Sequence, residues 1–356
     1  MSPSNNPSPE SICSFTESEF PFVSVIILNY NGYQCLKVCL PSLVKTDYPK
    51  FEIIVVDNGS TDQSVDYLRN NWQHCIRIIE LHENLGFAEG NNIGILNANG
   101  EIIAILNNDI EVEGNWLRSA VGALLSDRKV AAVQSKIMQY AERDKIDCVG
   151  LSFDKFGLVV NVGRDEKDHG QYDYLHEIWG CCGGAMIGWK HRLIEAGLFD
   201  RTFFIYYEDV DLSWRLKLCG YKMLLAPSSF VYHMGKATSK TIPSSFVVFH
   251  STKNYIASWL KNYSLRMLII KCPSIFFIVV GALLFEIVQG RYDLFMARLK
   301  SIMWIWRNLR NILKERHKIQ HVLRRKEVDD NIIFTQDKKI RSNNLLYVIR
   351  SILQNS

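Results

Sequence analysis

The 356-residue chain carries six short polar segments whose side chains can bind or move charge. Four of them end apolar runs: Asn29-Tyr30-Asn31-Gly32, the loop Asp57 to Asp62, the loop Asn84 to Asn92, and Asn107-Asn108-Asp109. A carboxylate such as Asp57 at the tip of an apolar strand can accept a hydrogen bond from a nucleobase N–H, and Gly59 permits the close approach or positive φ of a tight turn; a helix-capping turn accounts for the same residues. Asp109 emerges beside three other polar strand ends, where a carboxylate can hold a hard divalent cation that bridges diphosphate oxygens, although a lone Asp after a strand also serves as an ordinary turn residue. Gly86 and Gly90 are separated by three residues and fit neither the dinucleotide fingerprint nor the phosphate-binding loop of NTPases, so hydride transfer and ATP hydrolysis lose support. The fifth segment sets Glu208, Asp209 and Asp211 within four residues, behind Phe203, Phe204, Tyr206 and Tyr207. A helix N-terminus favours one or two acids; three behind an aromatic wall point to one tuned by partial burial as a general base. His233 ends a short strand and reads either as a satisfied structural histidine or as a metal ligand.

The elements that must position these groups follow from the hydrophobic pattern. Nearly continuous β-branched runs at Phe22 to Leu28, Phe51 to Val56, Ile76 to Leu81 and Glu101 to Leu106 predict strands buried on both faces. Between them, Leu36, Leu40, Leu43 and Val44 share a helical face, and Val65 to Asn70 and Asn91 to Asn97 predict shorter helices. Such alternation builds a right-handed parallel α/β sheet, which binds ligands at the carboxyl ends of its strands. After Trp116 the rhythm becomes mixed: a helix to about Leu125, strands near Val130 to Met138 and Gly184 to Trp189, a helix from Glu208 to Cys219, and short strands at Lys222 to Leu225 and Phe230 to Tyr232.

Composition excludes several classes. With 47% hydrophobic and 22% charged residues, the chain is an ordinary folded protein of about two domains. Its nine cysteines are scattered without a Cys-x-x-Cys pair, against both a disulfide framework and a zinc ribbon, and a reducing, cytoplasmic setting is expected. Residues 1–20 read as a polar, mobile leader, and 327–356 as a patternless polar tail. The net charge of +4 hides an asymmetry: Arg291 to Lys326 holds eleven Lys and Arg against Asp293 and Glu315. Just before that basic block, Cys272 to Phe285 is an uncharged run of fourteen residues, shorter than the ~20 that cross a bilayer. It reads as a buried core helix or as an interfacial or re-entrant membrane helix; Trp304, Trp306 and the flanking basic residues favour the second. Nucleic acid is not an expected partner, since the basic block carries no recognition module.

Taken in order, Asn29-Tyr30-Asn31, Asp57 to Asp62, Asn84 to Asn92, Asn107-Asn108-Asp109, Gly183-Gly184-Ala185, Glu208 to Leu212 and His233 resemble the inverting family 2 nucleotide-sugar glycosyltransferases over roughly Phe22 to Ser239. Within that family the pattern is most similar to the rhamnosyltransferase-like branch, which builds bacterial surface polysaccharides and often continues into a membrane-associated helical tail. The resemblance implies an α/β fold of the GT-A kind over 21–250, with a Rossmann-like nucleotide half and a mixed-sheet acceptor half, followed by a helical, membrane-associated region over 251–326. It implies that Asp57 contacts the base, that Asn29, Asn31, Gly86, Asn91 and Asn108 flank the nucleotide, and that Trp179 and Gly184 form acceptor-side wall. Asp209 takes the general-base position, while Glu208 and Asp211 hold the acceptor or the helix. Asp109 and His233 are the implied ligands of Mg²⁺ or Mn²⁺. Asn107 departs from the family's Asp-x-Asp at its first position, removing one formal charge.

The expected reaction is transfer of a sugar, rhamnose as the best guess, from a nucleoside diphosphate to a hydroxyl of a surface-polysaccharide or lipid-linked glycan, at the inner face of the cell membrane. A catalytically silent nucleotide-sugar-binding or scaffold homologue is the competing reading, encouraged by Asn107. A nucleotidyltransferase would share the sheet and the metal but leaves the Glu208-Asp209 placement unexplained.

Overall fold

The computed structural model describes residues 20–153, 158–174, 176–235, 243–325 and Val328. Apart from Phe20 and Val328, the expected leader and polar tail lie outside the described residues.

Strands β1 (Val23–Asn29), β2 (Phe51–Asp57), β3 (Arg77–Glu80) and β4 (Ile102–Asn107) form the parallel half of a ten-stranded sheet, with β1 between β2 and β4. The β-branched run of β1 is buried on both faces, as its sequence requires: Val25 and Ile27 enter one core cluster with Leu36, Leu40 and Trp116, and the alternate Ile26 enters the other with Ile54, Ala88 and Ile95. Helices α1 (Tyr33–Leu43), α2 (Ser64–Asn71) and α3 (Gly86–Asn97) connect these strands. The third helix starts at Gly86, earlier than the apolar pattern indicated; its first turn is tied to a neighbouring loop by the Ala88 N–H, which donates to the Phe204 carbonyl at 3.1 Å.

The second half is mixed. β5 (Ile110–Val112), helix α4 (Trp116–Leu125) and β6 (Val130–Gln139) lead to three-residue strands β7 (Ile146–Cys148), β8 (Leu151–Phe153), β9 (Val159–Asn161) and β10 (His176–Ile178). β11 (Ala185–Trp189) lies antiparallel between β4 and β6 and joins the two halves. Helices α5 (Lys190–Glu195) and α6 (Glu208–Leu218) precede β12 (Lys222–His233), which runs parallel to β6. The two short strands expected there are one strand with a register shift between Ala226 and Phe230; Pro227, which has no N–H for the ladder, accounts for the break in the pattern.

Three long helices complete the described chain: α7 (Ser244–Asn262), α8 (Leu265–Val288) and α9 (Tyr292–Lys318). The boundary expected at residue 250 falls inside α7, which packs along α9 and also meets α6. α8 is about 36 Å long at ~1.5 Å per residue and reaches a mean hydropathy of 2.4 over its most apolar eighteen residues. Only Val279 and Glu286 in it are buried, so the core-helix reading does not hold. The apolar element is longer than the uncharged run because the helix continues past Lys271 and through Glu286, whose carboxylate is held by the Arg298 guanidinium at 2.6 Å.

Candidate active site

At the carboxyl ends of the parallel strands, amide side chains tie loop to loop. The buried Asn29 donates from Nδ2 to Asp57 Oδ1 (2.9 Å) and Ser60 Oγ (3.2 Å), and its Oδ1 accepts Asn108 Nδ2 at 2.8 Å. Asp57 Oδ2 accepts the Ser60 N–H at 2.9 Å. Asn31 sits at φ 50° and caps the next turn, its Oδ1 accepting the Thr61 N–H at 2.7 Å. Gly32 has no room for a side chain, since a Cβ there would lie 2.0 Å from Asn108 Nδ2. Beside this corner opens a cleft of about 620 Å³, lined by Asn31, Tyr33, Cys35, Thr61, Asp62 and Asp66 among others.

The tie continues outward. Asn58 Nδ2 donates to Asn84 Oδ1 at 2.9 Å and its Oδ1 accepts the Leu85 N–H at 2.9 Å, which fixes the turn into α3. Gly86, at φ 83°, lies against Phe204: a Cβ would meet that ring at 2.5 Å. Asn91 folds back on its own helix, Nδ2 to Phe87 O at 2.9 Å, and its buried Oδ1 has no partner.

The loop reached through Gly86 carries the acids. Phe204, Tyr206 and Tyr207 have φ of 65°, 68° and 68°, a left-handed conformation that costs roughly 1–3 kcal/mol per non-glycine residue. Asn254 of α7 holds this loop: its Nδ2 lies 3.0, 2.9 and 2.7 Å from the carbonyls of Phe203, Ile205 and Tyr206. Lys253 Nζ donates to Thr202 O at 2.8 Å; burial pulls its pKa down to about 8. Neither residue carried a sequence signal, because α7 lies far along the chain and its polar residues resemble ordinary surface positions.

Beyond that loop α6 begins. Asp209 Oδ2 accepts the Gly183 N–H at 2.9 Å and Oδ1 the Val210 N–H at 2.8 Å. Burial pushes its carboxyl upward against these two donors. Glu208 is buried with Oε2 unpartnered, and burial, then the Asp209 charge, hold its carboxyl well above the ordinary range. Two N–H groups stabilise a charge on Asp209 and none reaches Glu208 Oε2, so of the pair Asp209 is the better placed to carry the charge. Asp211 points elsewhere. Fully buried, it binds Arg215 Nε (2.9 Å), Lys261 Nζ (3.1 Å) and Asn262 Nδ2 (2.8 Å), so it holds the helix and does not face a substrate. Trp179 likewise lies in the core, stacked edge-on against Phe153 and Trp214, and does not form a cleft wall.

Gly183 and Gly184 link this acid to the strand ends. While Gly183 donates to Asp209, the Gly184 carbonyl accepts the Asn107 N–H at 3.0 Å, and Gln134 pins the turn by accepting the Cys182 N–H at 2.6 Å. Two residues past Asn107, Asp109 Oδ2 lies 3.2 Å from His233 Nε2, and the Met234 N–H donates to the Asp109 carbonyl at 2.9 Å. The β5–β12 ladder sets this approach by pairing His233 with Ile110. On its other side, His233 Nδ1 meets Asp147 Oδ2 at 2.8 Å. Burial works to lower the imidazole pKa, but hydrogen bonds and charge from Asp109 and Asp147 outweigh it and push it up to about 10.

Asp109 Oδ1 is buried without a hydrogen-bond partner. Once a cation displaced its Nε2 proton, His233 would set a nitrogen donor beside the Asp109 carboxylate, a pair that suits Mn²⁺ and, through oxygen, Mg²⁺. Among the described residues no group of three His, Cys, Asp or Glu is arranged to hold a metal ion, so diphosphate oxygens and water would complete such a shell.

Comparison with known proteins agrees with the fold. The chain is similar to the human probable polypeptide N-acetylgalactosaminyltransferase 8, 26% identical over 61% of this chain and 37% of that protein. Several curated relatives are spanned over only about a quarter to two fifths of their length. Two solved structures share the fold: GalNAc-T7 with UDP, GalNAc and Mn²⁺ (TM-score 0.55, 20% identity, 68% of this chain and 48% of that one), and the mannosyltransferase PcManGT from Pyrobaculum calidifontis with GDP-Man and Mn²⁺ (TM-score 0.51, 15% identity, 87% and 90%). Residues 24–187, from the start of β1 into β11, match the family Glycosyl transferase family 2, and the solved structures share the GT-A-like α/β fold with its mixed sheet.

Proposed function

We propose that the protein is an inverting glycosyltransferase that moves a sugar from a nucleoside diphosphate to an acceptor hydroxyl, with a divalent cation at Asp109 and His233. The observation that carries this reading is the Gly183-Gly184 turn, which places an ionisable carboxylate, Asp209, one glycine away from the strand end that leads to Asp109. The nucleoside would lie over Asn29 and Asp57. Asp209, its carboxylate held by the Gly183 and Val210 N–H groups, takes the proton of the acceptor hydroxyl. The acceptor oxygen attacks the anomeric carbon opposite the diphosphate, the bond from that carbon to the diphosphate oxygen breaks, and the nucleoside diphosphate departs. The Gly183 and Val210 N–H groups hold the Asp209 carboxylate in place during the transfer. A cation bound at Asp109 and His233 supplies positive charge to the leaving diphosphate.

A donor panel tests the reading: UDP-N-acetylgalactosamine and GDP-mannose, after the sugars and nucleotides named for the similar structures, and dTDP-rhamnose, after the sequence resemblance. Release of nucleoside diphosphate from one donor, abolished by chelator and restored by Mn²⁺ or Mg²⁺, is the expected result. Undiminished release in excess chelator would sink the metal assignment, and no release from any donor would favour a silent, binding-only protein.

We further propose that α8 and α9 hold the enzyme on an anionic bilayer, at the cytoplasmic face, where a lipid-linked acceptor would be presented. Support comes from the exposed Ile269, Phe276, Phe277 and Leu284 of α8, and from Met303 and Trp306 exposed on α9 among Lys300, Arg307 and Arg310. The protein should float with vesicles containing phosphatidylserine, with high salt reducing but not abolishing attachment. Failure to float at low salt would remove the membrane from the reading.

A further inference from the structure

The pairing of His233 with Asp147 has a use that the proposed metal site leaves open. An imidazole has two ring nitrogens, and a neutral ring offers a lone pair on only one of them. Its tautomer must be set from outside if a particular nitrogen is to face a cation. In this chain the two nitrogens face two different carboxylates: Nε2 lies 3.2 Å from Asp109, whose Oδ1 is unpartnered and buried, and Nδ1 lies 2.8 Å from Asp147.

Nothing in the sequence joins Asp147 to His233. The fold does so through β6: β7, which carries Asp147, pairs with β6 on one side, and β12, which ends at His233, pairs with β6 on the other. The β6–β7 register shifts between Ile137 and Met138, at the position where Asp147 lies between the paired Ile146 and Cys148. Asp147 is itself only partly exposed, and its second oxygen lies 3.9 Å from the Arg164 guanidinium. Both groups that meet the Asp147 carboxylate, the His233 ring and the Arg164 guanidinium, present nitrogen to its oxygens, which leaves Asp147 as the acceptor.

We infer that Asp147 is a positioning residue for the cation site: by accepting the Nδ1–H of His233 it fixes the tautomer and the ring plane, so that the Nε2 lone pair faces the space beside Asp109 Oδ1. The inference rests on the proposed cation at Asp109 and His233. Carboxylate partners of metal-bound histidines raise the basicity of the ligating nitrogen, and their loss typically costs ~10–100-fold in metal affinity. A role confined to holding β7 in place would lower stability and leave metal preference unchanged.

The test measures free Mn²⁺ by electron paramagnetic resonance while the full chain is titrated with and without UDP or GDP, and repeats the titration with Co²⁺ and Mg²⁺ in competition. For Asp147→Ala, Mn²⁺ affinity should fall ~10–100-fold, and Co²⁺, which favours imidazole, should lose more than Mg²⁺, which favours oxygen. Asp147→Asn retains an oxygen able to accept the Nδ1–H without the charge, and should fall between wild type and Asp147→Ala; it also serves if the alanine variant does not fold. Unchanged Mn²⁺ affinity in either folded variant, or equal losses for Co²⁺ and Mg²⁺, would overturn the inference while leaving the cation site standing. A wild-type chain that takes up no Mn²⁺ under any of these conditions would overturn the site and this inference together.

Discussion

The two sides of the site are built on opposite principles. Around Asn29, Asp57, Asn58 and Asn84 the polar side chains are committed to one another and to loop N–H groups, so the corner is a lattice of satisfied hydrogen bonds. Around Glu208 and Asp109 the structure keeps buried oxygens without partners and three left-handed aromatic residues in one loop. An unsatisfied buried polar group costs about 1–3 kcal/mol, so the second side is a place where stability has been given up. Under the proposed function, the first side would shape a surface on which a ligand is laid, whereas the second would hold groups whose hydrogen-bonding capacity is kept for a reaction.

The largest effect should come from removing the proton acceptor. Asp209→Asn preserves shape, and its remaining oxygen can still accept from Gly183 or Val210, so turnover should fall by the ~10²–10⁴-fold that general base catalysis supplies with donor affinity little changed. Wild-type turnover should rise with pH as Asp209 ionises, with an apparent midpoint above that of an ordinary aspartate, because burial raises its pKa. Glu208→Gln should cost less, since Asp209 and not Glu208 is the acid tied to the Gly183 turn. Steady-state rates across pH for the three proteins decide the matter: if Glu208→Gln is the more damaging change, the base is misassigned.

Next in size is the clamp on the strained loop. Asn254→Ala leaves the carbonyls of Phe203, Ile205 and Tyr206 without their shared donor, in a position where Asn254 itself is fully buried. The expected loss of stability is ~1–3 kcal/mol, read from urea denaturation, and turnover should fall further than donor binding because the loop aims α6. A variant with normal turnover would show that the left-handed residues hold themselves without α7, and the contrast between the two sides would weaken.

How much of this the sequence disclosed follows the same division. β1 to β4 were readable because continuous β-branched runs leave few alternatives to a buried parallel strand, and Asn29, Asp57, Asn84 and Asp109 followed as their carboxyl ends. Asp109 and His233 were expected together from the family resemblance, and the β5–β12 ladder brings them within 3.2 Å. Asp147 was not readable: it sits on a three-residue strand too short to show a period, and its partner is distant in sequence. Asn254 and Lys253 were hidden for a related reason, since a polar pair on a helix normally marks solvent and here marks burial against carbonyl groups. Asp211 was legible as part of an acidic cluster, and the resemblance already set Asp209 apart from it; the packing of α7, through Lys261 and Asn262, decides that Asp211 holds the helix and not an acceptor.

The smallest predicted effect lies on the satisfied side and tests whether that satisfaction is redundant. Asp62 is exposed and accepts the Tyr33 N–H at 3.1 Å and the Ser64 N–H at 2.9 Å. Burial is the largest single influence and opposes its ionised form, but the hydrogen bonds from Ser64 and Tyr33 together outweigh it, and its pKa lies below the ordinary value of 3.8. A carboxyl with a depressed folded-state pKa binds fewer protons folded than unfolded, so its stabilisation is present above pH 3.8 and fades as pH falls through the folded value. Asp62→Asn retains one acceptor oxygen near the same two donors, and solvent screens the lost charge, so the cost at pH 7 should stay below about 1 kcal/mol. That cost should shrink at pH 3, below the ordinary value of 3.8, where the unfolded chain takes up the proton and the advantage of the folded carboxylate fades. Urea denaturation of both proteins at the two pH values is the measurement. A penalty as large as that of Asn254→Ala, or one that persists undiminished in acid, would mean that the loops around Asn29 depend on single bonds after all, and that this side is no better braced than the strained loop before α6.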